Sequence, residues 1–196
     1  MAGARIPGLT VLGAVTAAGG LRLQATAASR TIFELAGTNE RATFYYREEN
    51  KVANARADEL IEALTGLRLG ADALLPILTG CVTRSNTVSR GERYGDQLAI
   101  TTDTGRVFLH QKPGWRAFFG DVQGLAVQYS WQDAPFPREV ILNAQRDTPS
   151  AVALKLRMDE GPIVNSPLGP ETFTLNVPST AVPMTLAEVR RLLRSR

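Results

Sequence analysis

Only one of the 196 residues is cysteine and only one is histidine. A single thiol excludes an intrachain disulfide, and one thiol with one imidazole cannot supply the ligand cluster of a conventional zinc site. No metal and no cofactor is expected. No apolar run reaches the ~20 residues that a membrane-spanning helix needs. Charge of one sign is lacking too: the net charge is +3, dispersed along the chain and too small for the electrostatic footprint of a nucleic-acid binder. The one tight basic group, Arg190, Arg191, Arg194 and Arg196, ends a helical stretch, where cations complement the negative end of the helix dipole. A glycine-rich phosphate loop is missing, since "LGPE" and "VQGL" have neither the motif spacing nor a following helix. Trp115, Phe118, Phe119, Tyr129 and Trp131 are not interleaved with Lys and Arg as a base-stacking platform requires, so they read as core. The opening "MAGARIPGLTVLGAVTAAGGLRLQATAAS" has a modest apolar stretch, with Ala25 and Ala27 imitating a cleavage site. Pro7, the glycines and Arg22 make it a poor signal peptide.

What the chain has in quantity is a hydrophobic period of two, the mark of strands with one buried face. "LRLQATA" sets Leu21, Leu23 and Ala25 against Arg22, Gln24 and Thr26. "IFELAGTNERATFYY" reads as two strands joined by a turn over residues 37–40, and "LAITTDTGRVFLHQ" as a hairpin with Asp103, Thr104 and Gly105 at its tip. "GWRAFFG", "LAVQYSW", "REVILNAQR", "AVALKLRMD" and "TFTLNVP" follow as further strands. In "AVALKLRMD", Val152, Leu154, Leu156 and Met158 oppose Ala153, Lys155, Arg157 and Asp159. Strands in such close succession pair antiparallel, because parallel pairing needs long crossovers.

Helical spacing interrupts the strands in "RADELIEALTGLRLGADALLPILTGC". Leu60, Ile61 and Leu64 share a face, Asp58 and Glu59 occupy the first turn, and Gly66 stops the helix. A second helix spans residues 71–79 and ends at Gly80, with Pro76 weakening it. "TLAEVRRLLRS" spaces Leu186, Val189 and Leu193 on one face behind a capping box of Thr185 and Glu188. The expected fold is a single α+β domain over residues 1–196. It is a curved antiparallel half-barrel of about eight to eleven strands, with the short helix pair plugging its concave face. Alternation assigns Leu98, Ile100, Leu109, Trp115, Phe119, Val127, Tyr129, Leu142, Leu154 and Leu156 to the inward set.

Groups able to carry chemistry are sparse. His110 stands near a strand end opposite Val107 and Leu109, and reads as an edge or solvent-facing side chain. Cys81 follows a helix among apolar residues and reads as a buried structural thiol. A Cys/His hydrolase would need these two within hydrogen-bond reach. An enzyme is not expected.

The order of a strand meander, the helix pair "ADELIEALTGLRLGADALLPILTG" and a second meander resembles the outer-membrane lipoprotein carriers and receptors of Gram-negative bacteria, the Lol family, and the lipoprotein-like domains related to them. Leu60 and Leu64 lead into a leucine-rich turn similar to that of the receptor branch, and "FTLNVPSTAVPMTLAEV" looks like the closing segment of such proteins. The resemblance implies a half-open barrel whose hydrophobic cavity takes the acyl chains of a lipid or lipoprotein. It also implies carriage or reception in lipoprotein localisation at the periplasm or outer membrane, with a membrane surface as a further partner and the protein a monomer. Leu60, Leu64, Leu74 and Leu78 then join the inward set as lipid-binding residues. The alternative is a structural or sensory envelope module whose interior is filled by side chains.

Overall fold

The computed structural model describes residues 9–81, 87–111, 114–122, 124–144, 153–159 and 163–192. Alternating segments become strands wherever turn residues let the chain reverse. These are β1 (Thr10–Val15), β2 (Gly20–Ala27), β3 (Arg30–Thr38), β4 (Ala42–Tyr46), β5 (Lys51–Ala55), β6 (Val88–Tyr94), β7 (Gln97–Thr102), β8 (Gly105–Gln111), β9 (Trp115–Val122), β10 (Leu125–Ser130), β11 (Glu139–Ala144), β12 (Ala153–Arg157) and β13 (Val182–Pro183). The helices are α1 (Ala57–Thr65), α2 (Ala71–Thr79) and α3 (Leu186–Leu192). The fold is mixed α+β with strands predominating, and it falls into two compact units, Met1–Leu74 with Ser166–Arg196, and Leu75–Asn165.

Instead of one continuous meander the described residues form two sheets, ordered β1-β2-β3-β4-β5-β13 and β12-β11-β10-β9-β8-β7-β6, and neither closes into a barrel. The thirteen strands among the described residues also exceed the expected number. The break has a local cause. After β5 the chain enters the helix pair, and the free edge of β5 is taken in parallel by β13, with Val182 opposite Lys51 and Pro183 opposite Val52. β6 is left to open a second sheet.

In the first unit, cross-strand neighbours Leu23, Leu35, Phe44 and Ala53 share one face, and all but Leu23 are buried. Phe33 and Phe44 pack with ring centroids 5.3 Å apart. Burying a side chain of this size contributes about 1.5–3 kcal/mol, so this face is the unit's core. The opposite face carries a buried Glu34, whose carboxylate accepts from Arg22 at 2.9 Å and from Arg47 Nε at 2.8 Å. Arg22 also donates to the carbonyls of Thr172 and Thr174, both at 3.2 Å. That contact explains why "TFTLNVP" is not a strand: its carbonyls are taken by a guanidinium, Pro170 and Pro178 offer no N–H, and Pro170–Phe173 forms a 3-10 turn instead.

Asn39, in the turn between β3 and β4, fastens both helix starts. Its carbonyl accepts from Ala57 N at 3.1 Å, and its side-chain oxygen accepts from Ala71 N at 2.7 Å. α1 buries Leu60, Ile61 and Leu64 and stops at Gly66, whose φ of 79° suits a residue without Cβ. Asp58 accepts from Arg56 at 3.1 Å and Arg68 at 3.0 Å. Burial alone would raise the Asp58 carboxyl, but the hydrogen bonds from Arg68 and Arg56 outweigh it and hold the pKa below the usual aspartate value. The Thr185 and Glu188 capping box forms at α3, with Glu188 accepting from Thr185 N at 2.7 Å. Leu193 and Val152 lie outside the described residues.

Candidate functional site

The second unit carries most of the residues singled out by alternation. Register places them in rows, because directly opposed residues share a face. One row runs Ile100, Val107, Gly120, Val127, Leu142, Leu154 across β7 to β12. Leu98, Leu109 and Ala117 form a second, and Tyr129, Val140 and Leu156 a third. This apolar face is buried at its centre, at Val107, Ala117, Val127, Val140 and Leu142. Toward the margins it is only half covered, at Leu98, Ile100 and Leu109 on one side and Leu154 and Leu156 on the other. On β6, Gly91 stands opposite Ile100, and a Cβ built there would meet no atom within 4 Å. Val88, opposite Thr102, is 60% exposed. The outer margin of the face is therefore open as well as greasy.

Two members of the inward set are corrected. Phe119 pairs with Phe108 and Gln128, which puts it on the face opposite Val127 and Leu142. The cause is a bulge: the β8–β9 register shifts between Phe108 and Leu109, leaving Phe118 unpaired and reversing the alternation beyond it. Phe108 then packs against both Phe118 and Phe119, with centroids 6.3 and 5.7 Å apart. Trp115 keeps its face but lies at the strand start, 40% exposed, with Arg93 stacked 5.6 Å from its ring centroid.

Of the helical members, Leu60, Leu64 and Leu74 are buried within the first unit, and Leu78 belongs to the second, half-buried. Tyr129 is buried, and its hydroxyl has no hydrogen-bond partner among the described residues. Burial pushes its pKa up, and the neighbouring Cys81 adds to the rise. Cys81 itself is exposed, contrary to the buried thiol expected. At Gly80 (φ 74°) the chain turns sharply, and any Cβ there would strike the Trp131 ring at 2.7 Å, so the next residue is carried outward. His110 lies on the opposite face from Tyr129, its Nε2 3.0 Å from Asp96 Oδ2. No hydrogen bond joins it to Cys81 among the described residues.

A polar cavity of about 260 Å³ lined by Gln132, Arg138, Arg157, Met158 and Asp159 also lies in this unit. Its lining suits polar solutes better than acyl chains. Among the described residues no group of three or more His, Cys, Asp or Glu is placed to hold a metal ion, and no helix is long and apolar enough to cross a membrane.

Sequence reasoning missed β6, and with it Val88, Gly91 and Arg93. The signal was present: Gly95-Asp96 between "SRGERY" and "QLAITT" is a two-residue hairpin turn. Comparison with protein-family models gives no match, and comparison with curated proteins gives none either.

Proposed function

We propose that this protein binds lipid or lipoprotein acyl chains without catalysing a reaction, as a carrier or receptor in the cell envelope, at the periplasm or outer membrane. The half-barrel with a helix pair as its plug, and a likeness in task to the Lol family, are parts of the same proposal. The observation that carries it is the apolar face of the seven-stranded sheet. Leu98, Ile100 and Leu109 remain only half covered there, and Gly91 leaves space beside them. An exposed apolar margin rimmed by polar groups is a place where a ligand removes hydrocarbon from water. Each buried methylene contributes about 0.8 kcal/mol.

That figure sets the test. Titration calorimetry with fatty acids of increasing chain length should show affinity rising about four-fold per methylene. Lipid should also co-purify from the native host and be identified by mass spectrometry. Affinity independent of chain length, or no binding at all, refutes the proposal. The alternative, a structural or sensory envelope module filled by its own side chains, is favoured by the complete burial of Val127, Val140 and Leu142. It expects the second result.

A further inference from the structure

Taking the lipid-binding reading above as its basis, we infer that Arg93 anchors the headgroup of an acyl lipid with an anionic head. Arg93 stands opposite Leu98 on β6, and Leu98 stands opposite Leu109 on β8. The guanidinium therefore rises from the same face as the half-covered aliphatic row and at its end. Among the described residues β6 is the outermost strand of the sheet, and Arg93 on it is exposed. The side chain is held in place there. Its Nε donates to the Gly95 carbonyl at 3.2 Å, one terminal nitrogen donates to Gln111 Oε1 at 3.3 Å, and its plane stacks on Trp115.

Arg93 has no carboxylate partner among the described residues, although acidic groups are close in sequence. Glu92 is taken by Arg90 and Arg106 on the opposite face, and Asp96 faces His110 at 3.0 Å. A positioned guanidinium with donors to spare, beside open hydrocarbon, matches an amphiphile with an anionic head. An acyl tail attached to a carboxylate at Arg93 would run over Leu98 and Ile100 past Gly91, where no side chain blocks it. The bare position at Gly91 and the unpaired charge at Arg93 are thus explained by one occupant.

The test is titration calorimetry on the full chain with decanoate and with 1-decanol, at about pH 8 so that the acid is ionised. Arg93→Gln should weaken decanoate binding about ten- to a hundred-fold, the loss expected of one charge-assisted hydrogen bond. It should leave decanol unchanged, and Arg93→Lys should recover part of the loss. Gly91→Trp should weaken both ligands. Arg93→Gln binding decanoate as tightly as the wild type overturns the anchor while leaving the lipid reading in place. Gly91→Trp without effect on either ligand overturns the path assigned to the tail. Failure of the wild type to bind either ligand removes the lipid reading and the anchor together. Arg93 is exposed, and an unchanged circular-dichroism melting curve shows that a loss of binding is not a loss of fold.

Discussion

Leu142→Ala is the sharpest probe of the two-faced sheet. Leu142 is 0% exposed and sits between Val127 and Leu154 in register. The substitution removes hydrocarbon worth about 0.8 kcal/mol per methylene and leaves a void that neighbours fixed to strands fill only in part. The expected cost is about 3 kcal/mol. For a chain of 196 residues that corresponds to a melting-temperature drop of about 6–12 °C. The control is its neighbour Ile141, half-buried on the opposite face, where Ile141→Ala should cost no more than about 1 kcal/mol. Differential scanning calorimetry and urea denaturation both read the difference. Equal losses at the two positions would mean that burial does not follow the pleat, and would sink the argument from register on which the candidate site stands.

Three further outcomes are expected. Leu154→Arg should cost about 1–3 kcal/mol, since it replaces a half-buried aliphatic group by a charge that must reach out to water, whereas Lys155→Ala should move stability by about 0.5 kcal/mol or less; equal urea midpoints would contradict this. Asn39→Ala removes the acceptor for Ala71 N and the donor to Asp72. It should cost about 1–2 kcal/mol, with helical ellipticity fraying before strand signal, and a thermal midpoint equal to the wild type would refute the side-chain fastening of the α2 start. Asp58 has a folded-state pKa below its unfolded one, so its stabilisation is present above the unfolded value of about 4 and is lost as pH falls through the folded value. The stability gap between wild type and Asp58→Asn should be widest near neutrality and shrink below about pH 4; a gap that widens in acid would reverse the sign.

Much of this was legible because the signals were local. Helix α2 begins and ends where Gly70 and Gly80 bracket an apolar run, the β7–β8 turn sits at Asp103 and Thr104, and α3 starts at its Thr185 capping box. Each is decided within a few residues. What failed to show was decided by partners distant in sequence. Nothing in "GWRAFFG" announces that β9 will bulge at Phe118; the bulge arises from its pairing with β8, and it sends Phe119 to the other face. The capture of the β5 edge by β13 joins segments far apart in the chain, and with it goes the single-sheet expectation. Of the candidate site, the apolar rows could be read from alternation, but the open margin could not. That depended on β6 lying outermost, with Gly91 rather than a larger residue opposite Ile100.

The helix pair is expected from the sequence to plug the concave face of the sheet, but α1 and the start of α2 are built into the first unit as permanent structure. A lid that opens must be drawn from weakly held parts of a fold. Leu60, Ile61, Leu64, Leu67 and Leu69 are all buried. Releasing them would expose hydrocarbon worth about 1.5–3 kcal/mol per side chain. Gly66 is no loose joint either, since its N–H donates to Glu62 O at 2.8 Å and closes α1. Glu40, Arg56, Asp58 and Arg68 form a chain of ion pairs along the same segment, and Asn39 holds both helix starts. The binding proposed at the margin beside β6 does not require this segment to move. The stretch richest in leucine is thus firmly held, and the ligand site proposed above lies instead beside β6, where Gly91 stands opposite Ile100 and Arg93 has no carboxylate partner among the described residues.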